Sequence, residues 1–115
     1  MSVSQTQQSM QAYSDALLQH SGFAEYLSDD VVAKLEGVPG AAQEYQGRDA
    51  VAQWINAAHS LGEVKLRTMF SGEGHAAGEF DFVRKDGVAV PYSVIYDLAN
   101  GKITELNLYF TGPLQ

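Results

Sequence analysis

Three short turn segments divide the second half of the chain, and they constrain its fold more than any other feature of the sequence. Residues 71–74, Asp86-Gly87 and Asn100-Gly101 separate runs rich in β-branched and aromatic residues. Asp-Gly and Asn-Gly between such runs favour two-residue hairpin turns, because both turn positions need a positive φ. The second half is therefore predicted to form a meander of four antiparallel strands.

Tight turns also predict which residues face each other across the strands. If the last turn closes on Asn100-Gly101, Ser93 lies opposite Leu108. If the middle turn closes on Asp86-Gly87, Phe80 also lies opposite Ser93. One face of the sheet is then largely apolar and should meet the helices; it carries Val64, Leu66, Thr68, Phe70, Phe80, Phe82, Ser93, Ile95, Leu106, Leu108 and Phe110.

The opposite face of this predicted sheet is mixed. It carries Lys65, Arg67, Glu79, Asp81, Tyr92, Val94, Tyr96, Glu105, Asn107 and Tyr109. Lys65 opposite Asp81 and Arg67 opposite Glu79 predict favourable cross-strand charge pairs. Because tyrosine is enriched at protein interfaces, we expect this face to form a homodimer interface. The alternative is an exposed amphipathic face on a monomer, since monomers also expose apolar residues.

The first half of the chain shows helical patterns around one strand. Residues 9–20 have helical spacing, residues 23–27 form a short second helix, and residues 31–38 are a strand. A third helix starts at Gly47-Arg48-Asp49, where Asp49 suits a helix start, and ends at Gly62. The sequence thus predicts one α+β domain over residues 1–115. Its first eight or so residues, rich in Gln and Ser, are expected to be flexible.

Composition excludes several classes of function. The chain has 14 acidic and 7 basic residues, a net charge of −7, which argues against binding nucleic acid or anionic membranes. It has no cysteine, and its three histidines lack the spacing of a metal site, so we expect no metal and no cofactor. No long apolar run or leader pattern occurs, so we expect a cytoplasmic protein.

Four stretches of the sequence resemble the nuclear transport factor 2-like superfamily. They are residues 13–18, Leu27-Ser28-Asp29-Asp30-Val31, Gly47-Arg48-Asp49-Ala50-Val51, and Gly101-Lys102-Ile103 with Tyr109-Phe110. Relatives in this superfamily include ketosteroid isomerases, SnoaL-like polyketide cyclases and limonene epoxide hydrolases. The resemblance implies a cone-shaped, strongly curved, mostly antiparallel sheet wrapped by three helices, also described as cystatin-like. It implies one pocket for a hydrophobic small molecule.

The resemblance to the ketosteroid isomerase branch implies roles for particular residues. Tyr13 matches the tyrosine that donates a hydrogen bond to the dienolate oxygen, and Glu36 lies near the position of the general base. Ser93 stands where that branch has a protonated aspartic acid. Ser93 can donate a hydrogen bond but cannot act as that acid. Glu36 could equally be a solvated glutamate at the end of a strand.

Other residues complete the predicted site. Trp54 matches a pocket-lining position of the isomerase branch and could stack on a flat ligand. Asp97 is a second candidate base by its place along the strand, or a solvated rim carboxylate. The predicted ligand-binding wall comprises Trp54, Leu66, Phe80, Phe82, Ile95, Leu106, Leu108 and Phe110. The epoxide hydrolase pattern is not matched, because Glu79, Asp81 and Leu108 stand where its Arg and two Asp residues belong.

Two functions are therefore open at the level of sequence. One is an enzyme that moves protons on, or cyclises, a hydrophobic carbonyl compound without a cofactor. In that case Tyr13 and Ser93 would polarise the carbonyl, and Glu36 or Asp97 would act as the base. The other is a non-catalytic ligand-binding or dimerisation module with the same pocket. An apolar pocket with a few polar groups is the usual layout of an active site, which favours the enzyme.

Overall fold

The computed structural model describes residues 1–36 and 44–110, which form two α-helices, one 3₁₀ helix and six strands. In chain order these are α1 Val3–Leu18, a 3₁₀ helix Phe23–Tyr26, β1 Leu27–Glu36, β2 Glu44–Gln46, α2 Arg48–His59, β3 Gly62–Ser71, β4 His75–Arg84, β5 Ala89–Ala99 and β6 Lys102–Phe110. The strands make one sheet in the order β2-β1-β6-β5-β4-β3. The β1–β6 pair is parallel and the other pairs are antiparallel, so the sheet is mixed.

The predicted α+β class is therefore confirmed, but the prediction of three helices is wrong. The segment after α1 is a 3₁₀ helix of only 4 residues, because Gly22 in the left-handed region leads straight into it and Leu27 is already extended. The short strand β2 was not predicted. It pairs with β1 through Ala33 opposite Tyr45. Among the described residues, no helix is long and apolar enough to cross a membrane.

Helix α1 begins earlier than its apolar pattern predicted. Ser2 and Gln5 form a capping box: the Ser2 hydroxyl accepts from the Gln5 amide at 3.1 Å, and the Gln5 side chain accepts from the Ser2 amide at 2.9 Å. The buried Thr6 hydroxyl accepts a hydrogen bond from the Gly74 amide at 3.0 Å. This bond ties the first turns of α1 to the turn between β3 and β4.

The hairpin after β4 has a longer loop than Asp86-Gly87 predicted. Three residues, Lys85, Asp86 and Gly87, connect the strands, and Arg84 pairs with Val88 through an N–H···O bond of 2.8 Å. Gly87 has φ +87°, as expected when a third loop residue takes the left-handed conformation. The extra residue places Phe80 opposite Tyr92 instead of Ser93.

The last hairpin closes as predicted on Asn100 and Gly101, which both have positive φ. An irregularity between Asp97 and Leu98 then shifts the pairing by one residue. As a result, Tyr96 instead of Ile95 lies opposite Leu106. Both registers of β5 therefore differ from the prediction by one residue, and such a shift turns every side chain of a strand to the other face.

The inner face of the sheet packs on α1 and α2 and forms the core. The inward residues of β5 are Tyr92, Val94 and Tyr96, all buried, whereas Ser93 and Ile95 point away from the helices. On β3 and β4 the predicted pairs Leu66–Phe80 and Val64–Phe82 are confirmed. Beyond them, a bulge after Leu66 turns Phe70 outward, where it is 66% exposed.

Candidate functional site

A cavity of about 850 Å³ lies between the two helices and the inner face of strands β3 to β6. Its wall is mostly apolar: Leu17 of α1, Ile55 of α2, and Val94, Leu106 and Leu108 of the sheet all contribute. Such a mixture of volume, apolar lining and few polar groups is typical of sites for small organic molecules.

One wall of the cavity is a column of three aromatic rings on adjacent strands. Phe80, Tyr92 and Phe110 lie opposite one another across β4, β5 and β6. The ring centroids of Phe80 and Tyr92 are 5.3 Å apart, and those of Tyr92 and Phe110 are 4.9 Å apart, with interplanar angles of 13° and 18°. Because the rings stack on one another, they turn their faces toward each other and their edges toward the cavity, where an edge can pack on the face of a flat ligand.

Three tyrosines supply most of the polar groups inside the cavity. Tyr13 of α1 and Tyr96 of β5 meet edge to face, with centroids 5.8 Å apart, and Tyr92 lies on the same strand face as Tyr96. Burial raises the pKa of all three phenols above the ordinary value of 10.0, so they are protonated hydrogen-bond donors near neutral pH. No hydrogen bond joins any of these hydroxyl groups to another residue among those described. The site therefore holds three donors that have no acceptor in residues 1–36 and 44–110.

His59, in the last turn of α2, also lines the cavity. Its ring stacks on that of His20, with centroids 4.3 Å apart, and meets the edge of Phe23. Both ring nitrogens are buried and have no hydrogen-bond partner among the described residues. Burial, and secondarily the charge of His20, lower the pKa of His59 below its ordinary value of 6.5, so the imidazole is neutral at pH 7.

One end of the cavity is bordered by charged residues. Arg84, Lys85 and Asp86 lie at the turn between β4 and β5, and Arg84 forms an ion pair with Asp86 at 2.6 Å. Because Arg84 pairs with Gly62, this turn lies beside the segment that follows α2. The polar groups of the site thus divide into buried phenols and an imidazole within, and a charged border outside.

Most of the apolar residues predicted to bind a ligand lie in the cavity wall, as does Tyr13. The wall residues among them are Trp54, Phe80, Phe82, Leu106, Leu108 and Phe110. Trp54 also stacks on Tyr45, with ring centroids 5.7 Å apart. Leu66 is half-buried against the core and does not line the cavity.

The prediction that Ser93 and Ile95 face the pocket is wrong. Ser93 lies on the outer face between Glu79 and Tyr109, and Ile95 is 46% exposed on that face. The physical reason is the one-residue shift of β5, which exchanged these two residues for the inward Tyr92, Val94 and Tyr96. The sequence signal missed was the possibility of a three-residue loop ending in Gly87.

Neither predicted base, Glu36 or Asp97, faces the cavity. Glu36 is exposed at the end of β1, opposite Tyr109. Asp97 is bound to the Nδ1 atom of His75 at 2.7 Å, and its side chain is partly exposed. From the sequence, His59 was considered only as a metal ligand, so its place in the cavity wall was missed. The available signal was that His20 and His59 each end a helix, so their rings could meet.

The fold and this cavity define a class of proteins before any comparison of sequences. A mixed sheet with helices on one face and an apolar chamber between them is the architecture of the nuclear transport factor 2-like superfamily. Within it, the family of SnoaL-like domains matches residues 10–106, and the chain belongs to that family. The comparison with curated proteins found no match.

Several solved structures share the fold. A nuclear transport factor 2-like protein of unknown function from Mesorhizobium loti is 22% identical, with a TM-score of 0.84 over 96% of this chain and 93% of that one. A candidate ketosteroid isomerase from Kribbella flavida is 17% identical, with a TM-score of 0.82 over 98% and 82%. A candidate SnoaL-like polyketide cyclase from M. loti is 25% identical, with a TM-score of 0.72 over 89% and 96%.

Proposed function

We propose that this SnoaL-like protein is a small-molecule enzyme that transfers protons on a hydrophobic carbonyl compound without a cofactor. The observation that carries the proposal is the set of three tyrosines, Tyr13, Tyr92 and Tyr96, which line the apolar cavity and whose hydroxyl groups have no hydrogen-bond partner among the described residues. A ligand oxygen would complete their hydrogen bonding, which buried polar groups require. The names of two similar solved structures, a candidate polyketide cyclase and a candidate ketosteroid isomerase, are consistent with this chemistry.

The tyrosines would act by stabilising negative charge on the ligand oxygen. When a proton leaves the carbon beside a carbonyl group, charge moves to the oxygen, and fixed donors in a dry site favour that state. The aromatic column of Phe80, Tyr92 and Phe110 would hold the flat conjugated system in place. Tyr13 keeps the role that the family resemblance implied, and Tyr92 and Tyr96 replace Ser93 as further donors.

A second function is a non-catalytic module that binds the same kind of ligand. The observation that favours it is the position of Glu36 and Asp97, since neither carboxylate lies among the residues that line the cavity. Binding without turnover needs only the apolar walls and the tyrosine donors. Both functions predict the same ligand chemistry and differ in whether the protein accelerates proton exchange.

Binding of 2-naphthol tests the role of the tyrosines, with naphthalene as the matched probe that lacks the oxygen. Tyr13→Phe, Tyr92→Phe and Tyr96→Phe each remove a hydroxyl and keep the ring. We expect each change to weaken 2-naphthol binding about fivefold, because one hydrogen bond contributes about 1 kcal/mol. Naphthalene binding, measured by the same titration, should change less than about twofold. Equal losses for both probes in all three variants would show that the hydroxyl groups do not bind the ligand oxygen.

A further inference from the structure

We propose that the ligand of this cavity carries a carboxylate at the end opposite its carbonyl oxygen, and that Lys85 binds this carboxylate at the charged border formed by Arg84, Lys85 and Asp86. This inference rests on the proposed function. It narrows the ligand class to hydrophobic carbonyl compounds that are also acids. The tyrosines account for the binding of one ligand oxygen inside the cavity and leave the cations at its border without a role.

The charged border is positive although the protein is strongly negative. In the described part of the cavity wall, the side chains charged at neutral pH are two cations and one carboxylate, a sum of +1. The whole chain has a net charge of −7. A cleft concentrates the field of the charges that line it, so the opening of this cavity favours an anionic ligand.

Lys85 is exposed, and it is the cation of the border that has no partner among the described residues. Asp86 does not bind it, because both carboxylate oxygens are occupied. The Oδ2 atom of Asp86 accepts from Arg84 at 2.6 Å, and the Oδ1 atom accepts from the Val88 amide at 3.1 Å. An ammonium group has three donors, so Lys85 can bind an incoming carboxylate without losing an existing contact.

The sheet sets the distance between the border and the tyrosines. Phe80, Phe82 and Arg84 line the cavity at alternate positions of β4. Tyr92 lies opposite Phe80, four residues before Arg84. Four residues of a strand extend about 13 Å, so the backbone of Tyr92 is about that far from the border. The flexible stem of Lys85 can lie along apolar surface and shorten this gap, which suits an elongated ligand with a polar group at each end.

The border also offers apolar surface beside its cations. Leu61 lines the cavity although its side chain is 66% exposed. It precedes Gly62, which pairs with Arg84 across β3 and β4. The ring of Phe82 lies so close to Gly62 that a Cβ atom there would be 2.7 Å from it. This end of the cavity therefore suits a carboxylate attached to an apolar body better than a small inorganic anion.

Binding of 6-hydroxy-2-naphthoic acid and of its neutral amide at pH 7, where the carboxyl group is ionised, tests the inference on the full chain. The two probes share the rings and the hydroxyl group and differ in the negative charge. We expect the wild-type protein to bind the acid about fivefold more tightly at low salt, the upper range for an ion pair that water can reach. In about 0.5 M salt the preference should fall below about twofold, because dissolved ions screen the charge of Lys85.

Substitutions of Lys85 separate its charge from other effects. Lys85→Gln removes the charge at an exposed loop position, so the variant should fold normally and bind acid and amide equally. Lys85→Arg keeps a cation and should keep the preference. Lys65→Gln is the matched control, since Lys65 is exposed on the outer face and its loss changes the net charge equally. This control should retain the wild-type preference.

Asp86→Asn should act in the opposite direction. Asparagine keeps an oxygen for the Val88 amide and removes the negative charge of the border. We expect this variant to bind the acid about twofold more tightly than the wild-type protein and the amide with unchanged affinity, because a like charge near the carboxylate is gone. Weaker binding of the acid by this variant would contradict the proposed position of the carboxylate.

Two results would overturn the inference and leave the proposed function standing. One is a wild-type protein that binds the acid no more tightly than the amide. The other is a preference for the acid that Lys85→Gln retains. Failure of the proposed function has a different signature, the absence of any preference for 2-naphthol over naphthalene, and it is read from probes that carry no carboxylate.

Discussion

The two faces of the sheet differ in whether their polar groups have hydrogen-bond or ion-pair partners. On the outer face, charges have partners: Lys34 contacts Glu105 at 2.9 Å, and Arg67 contacts Asp81 at 3.4 Å. On the inner side, the hydroxyl groups of Tyr13, Tyr92 and Tyr96 and the nitrogens of His59 have no partner among the described residues.

From this difference between the faces we infer that the functional site lies on the inner face. Water can satisfy an exposed charge, so the ion pairs of the outer face contribute little to stability and imply no ligand. The nitrogens of His59 are shielded from water, and leaving them unpaired costs folding free energy, whereas the three tyrosines line the cavity. The unpaired hydroxyl groups on the cavity wall support the proposal that the inner face contacts a ligand oxygen.

The largest expected contrast between the faces is in packing. Phe80, which is 1% exposed on the inner face, should cost about 3–5 kcal/mol of unfolding free energy when changed to Ala. Phe70, which is 66% exposed on the outer side, is the matched control, and Phe70→Ala should change stability by less than about 0.5 kcal/mol. Urea unfolding of both variants measures the difference. Similar losses of unfolding free energy in the two variants would contradict the placement of Phe80 on the buried inner face and of Phe70 on the exposed outer side.

A second prediction concerns association through the outer face. We propose that the protein forms a homodimer there, although two of the tyrosines that first suggested it, Tyr92 and Tyr96, lie inside the cavity. Ile95 and Tyr109, 46% and 39% exposed, remain as apolar residues on that face. Ile95→Lys should weaken the dimer at least tenfold, about 1.4 kcal/mol, in sedimentation equilibrium. A monomer mass for the wild-type protein at micromolar concentration would exclude this interface.

The smallest expected effect is the pH dependence of stability. The pKa of His59 is lower in the folded protein than its ordinary value of 6.5, so the unfolded chain binds the proton more readily. The neutral ring's contribution to stability is therefore complete above pH 6.5 and lost as pH falls through the folded pKa. His59→Phe should flatten this part of the stability curve, measured by urea unfolding at several pH values. An identical slope in both proteins would show that His59 is not buried in its neutral form.

Several parts of the site followed from local sequence patterns. The inward residues of β4 and β6, such as Phe80 and Leu108, were predicted because each strand alternates between apolar and polar residues. Their orientation does not depend on the neighbouring strand. Tyr13 was identified through the family resemblance, and the structure buries it on one face of α1 with Met10 and Leu17.

The orientation of β5 could not be obtained in this way. One face of β5 carries tyrosine and valine, and the other carries serine, isoleucine and aspartate. Either set of side chains could line a ligand pocket. The irregularity after Asp97 depends on distant groups: the Leu98 amide donates to the Gly74 carbonyl at 2.9 Å, and Thr104 donates to the Asp97 carbonyl at 3.2 Å. Such bonds are invisible to a pattern confined to two neighbouring strands.

The sequence by itself determined the α+β class, the meander and most of the apolar wall, because these follow from local periodicity and turn chemistry. Only the tertiary structure decided which polar groups line the cavity. One extra residue in the loop Lys85–Gly87 places Tyr92 instead of Ser93 on the inner face of the sheet. The ends of α1 and α2 lie close together, which stacks His20 on His59. The Asp-Gly signal fits a two-residue and a three-residue loop alike, and the stacking of His20 on His59 joins residues far apart in the chain, so the local pattern decided neither outcome.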